Sequence, residues 1–259
     1  MKTLLVSENS GVLSVSLHRP EVRNAFSSEM IAELTDLFTS VGRRADLRAV
    51  RLSGEGKTFC AGADLSYMQE MVKYSMQQNQ ADSLAMHGMF EAIFQSPVPV
   101  VTQVHGAAFG GALGLIAASD IVIADEKTQF CFSEVKLGLV PAVISDFVLR
   151  KSSLGLVAPA MLTGQVFTAA EARRMGLVHA IGETTVLDGL TEKSLRSFRE
   201  AGPEAVRETK KLIQSVPVLS RDQVRAQVSR VISERRVSNE GQEGIKAFLE
   251  KRVASWRLS

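Results

Sequence analysis

The apolar positions of this chain change period several times, and each change marks an element. Residues 3–7 and 12–17 (VLSVSL) alternate apolar and polar at period two, which predicts a pair of strands. Over 27–44 (SSEMIAELTDLFTSVGRR) the period lengthens, and Met30, Leu34, Leu37, Phe38 and Val41 share one helical face. Residues 47–54 (LRAVRLSG) read as a buried strand ended by Gly54, and 55–66, with Gly56 and Gly62, as a loop. A long helical region is predicted over 67–95. A strand follows at 97–105 (PVPVVTQVH), its prolines confined to the start, where they are tolerated. Residues 119–125 and 129–135 read as two more strands. Thr168 and Glu171 stand in capping-box spacing before a short helix that Gly176 ends, and 177–182 is a short strand. Beyond about 185 the pattern is helical, broken at Gly202-Pro203 and closing with one amphipathic helix over 238–256.

Strands that alternate with helices, followed by helices alone, predict an α/β core of right-handed βα units with a helical C-terminal region. Composition fits this picture. Apolar residues are 45% and charged residues 22% of 259 positions, ordinary for a globular chain that needs no metal or disulfide staple. The net charge of +2 is interspersed and implies no nucleic-acid partner. No apolar run is long enough for a membrane span, and the N-terminus has neither the apolar core of a signal peptide nor the arginines of a transit peptide. Cys60 and Cys131 form no metal or redox motif. The expectation is a protein of the cytoplasm with no metal and no separate cofactor.

Chemistry concentrates in three stretches. HGAAFGGALGLIAASD (105–120) carries Gly106, Gly110, Gly111 and Gly114 in an otherwise helical composition. Each glycine in a helix interior costs about 1 kcal/mol relative to alanine, so four call for a reason. The spacing is not that of a dinucleotide loop, and no P-loop, HExxH or GxSxG motif occurs. SEVK (133–136) matches SxxK without the accompanying elements of a β-lactamase. The four histidines are scattered. FCAGADL (59–65) and the Gly110–Gly111 pair both put small residues where a helix begins. Helix starts present unsatisfied N–H groups, and small residues let them approach a ligand. Two such N–H groups on one point would hold an oxyanion; close packing of a glycine-rich turn is the alternative. In FCFSEVKLGLVP (130–141) an apolar strand runs into Glu134, a carboxylate whose pKa burial would raise toward acid–base work. An exposed turn glutamate is the alternative there.

Together these stretches resemble the enoyl-CoA hydratase/isomerase family, the crotonases, over nearly the whole chain. RPEVRNAFSSEM (19–30) resembles its N-terminal signature, FCAGADL and VHGAAFGGALGL its two oxyanion loops, SEVKLGLVP its glutamate segment and EGIKAFLEKR (243–252) its terminal helix. The resemblance implies a spiral of ββα units over 1–200. It also implies a helical region over 201–259 for trimerisation and cover of the CoA pocket, and a homotrimer or dimer of trimers. It implies an acyl-CoA thioester substrate, of which CoA is a part, with Ala63 and Gly111 N–H groups on the thioester oxygen and Glu134 as catalytic acid–base. Ala61 and Leu65 would border CoA, and Phe248 and Lys251 match C-terminal positions that contact it in some members.

The departures bear on the reaction. Two-glutamate hydratases carry a second glutamate where this chain has Gly114, and the glycine-rich run after the turn proline is replaced by Ala142, Val143, Ile144, Ser145 and Asp146. One carboxylate suits a Δ3,Δ2-isomerase. The PAVIS turn (141–145) is similar to bacterial hydratases assigned to methylglutaconyl-CoA in leucine breakdown. Hydration of a 2-enoyl-CoA, best a 3-methylglutaconyl type with Lys73 or Lys136 on its distal carboxylate, is the leading expectation. Isomerisation and acyl-CoA binding without turnover are the alternatives.

Overall fold

The computed structural model describes residues 1–257. Strands β1 (Leu4–Asn9) and β2 (Val12–Leu17) pair antiparallel through Ser10 and Gly11, both left-handed, as a tight hairpin requires. Helix α1 (Ser28–Val41) starts at Ser27, whose hydroxyl accepts the Met30 N–H, and buries the predicted face. There follow β3 (Ala49–Gly54), α2 (Leu65–Met71), α3 (Met76–Phe94), β4 (Val100–Val104), β5 (Ala107–Phe109), α4 (Ala112–Ala118), β6 (Ile121–Asp125) and β7 (Gln129–Cys131). The chain then forms α5 (Ala142–Lys151), α6 (Leu154–Thr163), β8 (Phe167–Thr168), α7 (Ala169–Met175), β9 (Ala180–Gly182) and the helices α8 (Leu187–Glu200), α9 (Pro203–Ser215), α10 (Arg221–Val237) and α11 (Asn239–Leu249).

The strands form two sheets. One has the order β1-β2-β3-β4-β6-β9 and is parallel beyond its first hairpin; the other has the order β5-β7-β8. Strands β4 and β6 join the large sheet and β5 and β7, directly after them, join the small one, so the chain winds as a spiral of ββα turns. Leu187 and Leu195 of α8 pack with Val12, Ala49, Val101 and Ile123 on the outer face of the large sheet. Helices α9, α10 and α11 pack on one another. Among the described residues no helix is long and apolar enough to cross a membrane.

Three expectations are corrected. The region 67–95 is two helices, because the Ser75 hydroxyl accepts the Gln78 N–H while the Gln78 side chain accepts the Ser75 N–H, which starts α3 afresh. The strand at 129–135 stops at Cys131. Ser133–Leu137 is a 3-10 turn, closed by left-handed Gly138 and by the Leu139 N–H on the Glu134 carbonyl. The last helix ends at Leu249, where left-handed Lys251 turns the chain and the Arg252 N–H caps Ala247. Helices α5 and α6 were not legible in the periodicity.

Every residue of α4 is buried, which explains its small side chains. A Cβ on Gly114 would lie 2.5 Å from Phe90 Cζ and 2.7 Å from Ile144 Cγ2. The space that would take a second glutamate is therefore filled by an aromatic ring of α3 and an aliphatic branch of α5. Gly114→Ala is expected to destabilise the fold by about 1–3 kcal/mol through overpacking. Gly114→Glu should cost more, and should not accelerate turnover. Thermal denaturation checks the first; an unchanged midpoint in Gly114→Ala would mean that the Phe90 ring yields freely.

Candidate active site

The site begins with one backbone contact. Loop 59–64 lies along β5, with the Cys60 N–H on the Ala107 carbonyl at 3.2 Å and the Phe109 N–H on the Cys60 carbonyl at 3.2 Å. Left-handed Gly62 comes so near that a Cβ there would stand 2.9 Å from the Phe109 oxygen. Phe26 joins the two loops from below. Its N–H bonds the Gly62 carbonyl at 2.7 Å, its carbonyl takes the Asp64 N–H at 3.0 Å, and its ring edge lies 3.2 Å from where a Cβ on Gly111 would be. These contacts hold Ala63 and Gly111 side by side. Among the described residues, neither the Ala63 nor the Gly111 N–H has a hydrogen-bond partner.

Glu134 completes the group. The Gly110 N–H bonds the Cys131 carbonyl at 2.8 Å, which ties the end of β7 to the start of α4. A Cβ on left-handed Gly110 would stand 3.2 Å from Ser133 Oγ, a tight approach, and 3.6 Å from Glu134 Oε1, so this backbone conformation favours glycine and brings the carboxylate against the start of α4. Oε2 of Glu134 is buried without a partner. Burial pushes the carboxyl pKa up from its ordinary value.

Ala61, Ala63, Leu65, Gly110, Gly111 and Glu134 all line one cavity of about 470 Å³. Its walls come from Tyr67, Met68 and Met71 of α2, from Asp82, Ser83 and Met86 of α3, and from Leu137 to Ile144. Phe248 and Lys251 do not reach it. Phe248 is 82% exposed on α11, and Lys251 follows that helix. Ser145 bonds the Ala142 carbonyl and Asp146 pairs with Arg150, and neither lines the cavity. Lys73 and Lys136 are exposed and likewise outside its walls.

Several supporting residues had no role in the sequence reading. Left-handed Asn24 is fully buried; its amide donates to the Glu55 and Thr58 carbonyls at 2.7 and 2.8 Å and its oxygen accepts the Arg19 N–H. Arg19 pairs with Asp64 at 2.7 Å. The Asp64 carboxyl is held below its ordinary pKa by the Ser66 hydroxyl and N–H and by Arg19. RPEVRNAF thus anchors the loop that carries Ala63. Tyr67 donates to Asp82 Oδ1 at 2.5 Å, and burial, then this bond, pushes the phenol pKa up. No sequence motif marks that pair, because its partners stand on different helices.

Comparison with known proteins shows the family and the fold. A sequence model of the family described as enoyl-CoA hydratase/isomerase matches residues 7–258. The crystal structure of an enoyl-CoA hydratase from Shewanella pealeana is similar at TM-score 0.94 and 37% identity, over 98% of this chain and 96% of that one. Pseudomonas aeruginosa AtuE is similar at TM-score 0.96 and 33% identity, over 98% and 99% of the two chains. An enoyl-CoA hydratase of Alternaria alternata is 34% identical over 201 residues, which cover 77% of this chain and 65% of that longer protein. With its spiral fold and paired loops, this chain belongs to the enoyl-CoA hydratase/isomerase family.

Proposed function

We propose that this protein adds water across the double bond of a 2-enoyl-CoA thioester. One observation carries the reading: two unpaired N–H groups, of Ala63 and Gly111, and the desolvated Glu134 carboxylate open on the same cavity. The thioester oxygen lies between the two N–H groups. These donors are worth most once negative charge gathers on that oxygen, so they stabilise the enolate more than the substrate. Ionised Glu134 takes one proton from a water whose oxygen bonds C3. The π electrons move through C2 to the thioester oxygen. As the enolate collapses, Glu134 returns the proton to C2, and the carboxylate is regenerated. CoA enters as part of the substrate, with Ala61 and Leu65 at the cavity wall beside it.

The narrower substrate, a 3-methylglutaconyl thioester of leucine breakdown, draws its support from Gly114 and the PAVIS turn. Neither Lys73 nor Lys136 lines the cavity, so within this chain the lining residues offer a distal carboxylate no cation. The geometry therefore supports the 2-enoyl class rather than that member. A Δ3,Δ2-isomerase is the second reading, favoured by the filled space at Gly114, since moving a double bond needs one base. Assembly as a trimer or dimer of trimers is supported by the exposed Ile245, Phe248 and Leu249 on α11. A cytoplasmic setting is supported by Cys60 and Cys131, which are buried and unpaired with each other.

Crotonyl-CoA and a 3-enoyl-CoA, each followed separately by loss or gain of enoyl absorbance, discriminate the two reactions. Glu134→Gln should lower hydration about 10²–10⁴-fold with little change in thioester binding. Near-native turnover in that variant would remove Glu134 from the chemistry. The pH profile carries a sign. Glu134 acts ionised and burial raises its pKa, so kcat should fall as pH drops through a value above the ordinary carboxylate range. An acid limb at or below that range would contradict the assignment.

A further inference from the structure

The cavity holds a second carboxylate that no sequence position led to. Asp82, Met86 and Phe90 stand at successive i, i+4 positions on α3 and form one stripe. Its lower members are fixed against α4: Phe90 fills the space over Gly114, and a Cβ on Gly111 would lie 4.0 Å from Met86 Sδ. Asp82 is one turn further along, about 5–6 Å from Met86 by helix geometry, and lines the same cavity as Glu134. One of its oxygens accepts the Tyr67 hydroxyl at 2.5 Å. Among the described residues the other has no partner, and the Glu134 carboxylate is bonded to no other residue, with Oε2 buried. Two carboxylates thus line one cavity with the free Gly111 N–H. A water between them would find acceptors for both of its hydrogens.

We propose that Asp82, braced by Tyr67, is the second carboxylate of the hydration site and holds the attacking water that Glu134 deprotonates. This rests on the hydratase reading above. Asp82 accepts one hydrogen bond from the water, which points an oxygen lone pair at C3. Glu134 accepts the other hydrogen as a proton and passes it to C2. The water O–H bond and the C2=C3 π bond break, the O–C3 and C2–H bonds form, Glu134 carries the proton between them, and Asp82 neither gains nor loses one. Tyr67 is a positioning residue: buried on α2, it fixes the Asp82 rotamer by occupying one oxygen. The arrangement replaces from α3 what the packing over Gly114 forbids on α4.

The test separates water addition from proton transfer at C2. Exchange of the C2 hydrogens of a saturated acyl-CoA in D2O, read by NMR, requires the N–H pair and Glu134 but no attacking water. Asp82→Asn should lower kcat for crotonyl-CoA hydration about 10²-fold with KM within a few-fold, while C2 exchange falls no more than about fivefold. Tyr67→Phe should show the same split at about 10-fold, since it keeps the ring packing and loses only the brace. Glu134→Gln should lose both reactions together. Asp82→Asn hydration within about twofold of the parent would overturn the proposal, as would equal loss of hydration and exchange in the Tyr67→Phe protein. Absence of both reactions in the unmodified protein would instead sink the hydratase reading itself.

Discussion

The site depends on how closely two stretches of backbone approach one another. Gly62 lies against the Phe109 carbonyl, and Cys60 exchanges hydrogen bonds with Ala107 and Phe109. No side chain could stand between these stretches. The contact uses the N–H groups of Cys60 and Phe109 and leaves those of Ala63 and Gly111 unpaired. Phe26 makes the approach rigid from both directions, since its backbone pairs with the Ala63 strand segment and its ring supports Gly111. A shift of either loop would separate the two donors and break the pairing of Cys60 with Ala108. The donor geometry is therefore maintained by the fold and does not await a substrate, which is what electrostatic preorganisation requires.

The same packing restricts what the site can contain. Helix α4 runs through the core, so its N-terminus can face a ligand only if the residues behind it are small. Gly114 is a consequence: Phe90 and Ile144 close on it from α3 and α5. Phe90 also meets Phe26 edge-on at 6.2 Å between ring centroids and Phe147 at 5.9 Å. A continuous aromatic layer thus lies beneath the catalytic loops. It gives them a dry, unyielding floor and removes one place for an acid. The carboxylates that line the cavity accordingly stand elsewhere, Glu134 on the turn after β7 and Asp82 on the wall of α3.

Local signals made much of this legible, and long-range packing hid the rest. The β1–β2 hairpin, α1 and the capped α7 follow from periodicity and caps that a few residues specify. Ala63 and Gly111 stood out as candidates because each sits in a short glycine- and alanine-rich stretch, and Glu134 because an apolar run ends in a carboxylate before Gly138 and Pro141. Ser75, by contrast, restarts α3 through a capping box inside an unbroken helical composition, so the two helices read as one. The strand expected over 129–135 failed at Cys131, because the backbone turn that sets Glu134 depends on Gly138 seven residues later. Asp82 and Tyr67 were invisible for a stronger reason: their relation exists only after α2 and α3 fold together. Phe248 and Lys251 were matched by position, yet α11 carries them away from this chain's own cavity.

The distribution of unpaired polar atoms argues independently for where function lies. Arg48, Arg51 and Arg235 have buried nitrogens without partners, but each guanidinium is bonded through another nitrogen, and the one other such atom besides Glu134 Oε2, among the described residues, is the neutral Ser152 hydroxyl away from the cavity. The Glu134 carboxylate is bonded to no other residue, and its Oε2 is buried. Leaving a buried polar group unmatched costs about 1–3 kcal/mol, and more for a charged one. The unmatched backbone N–H groups of Ala63 and Gly111 belong to residues that line the same cavity, so donors and acceptor are left open on one space. Folded proteins rarely tolerate such groups singly. Here they line one cavity. Their excess energy is recovered only when something bearing an anionic oxygen and an acidic hydrogen occupies the space between them, and an enolate with its water has both.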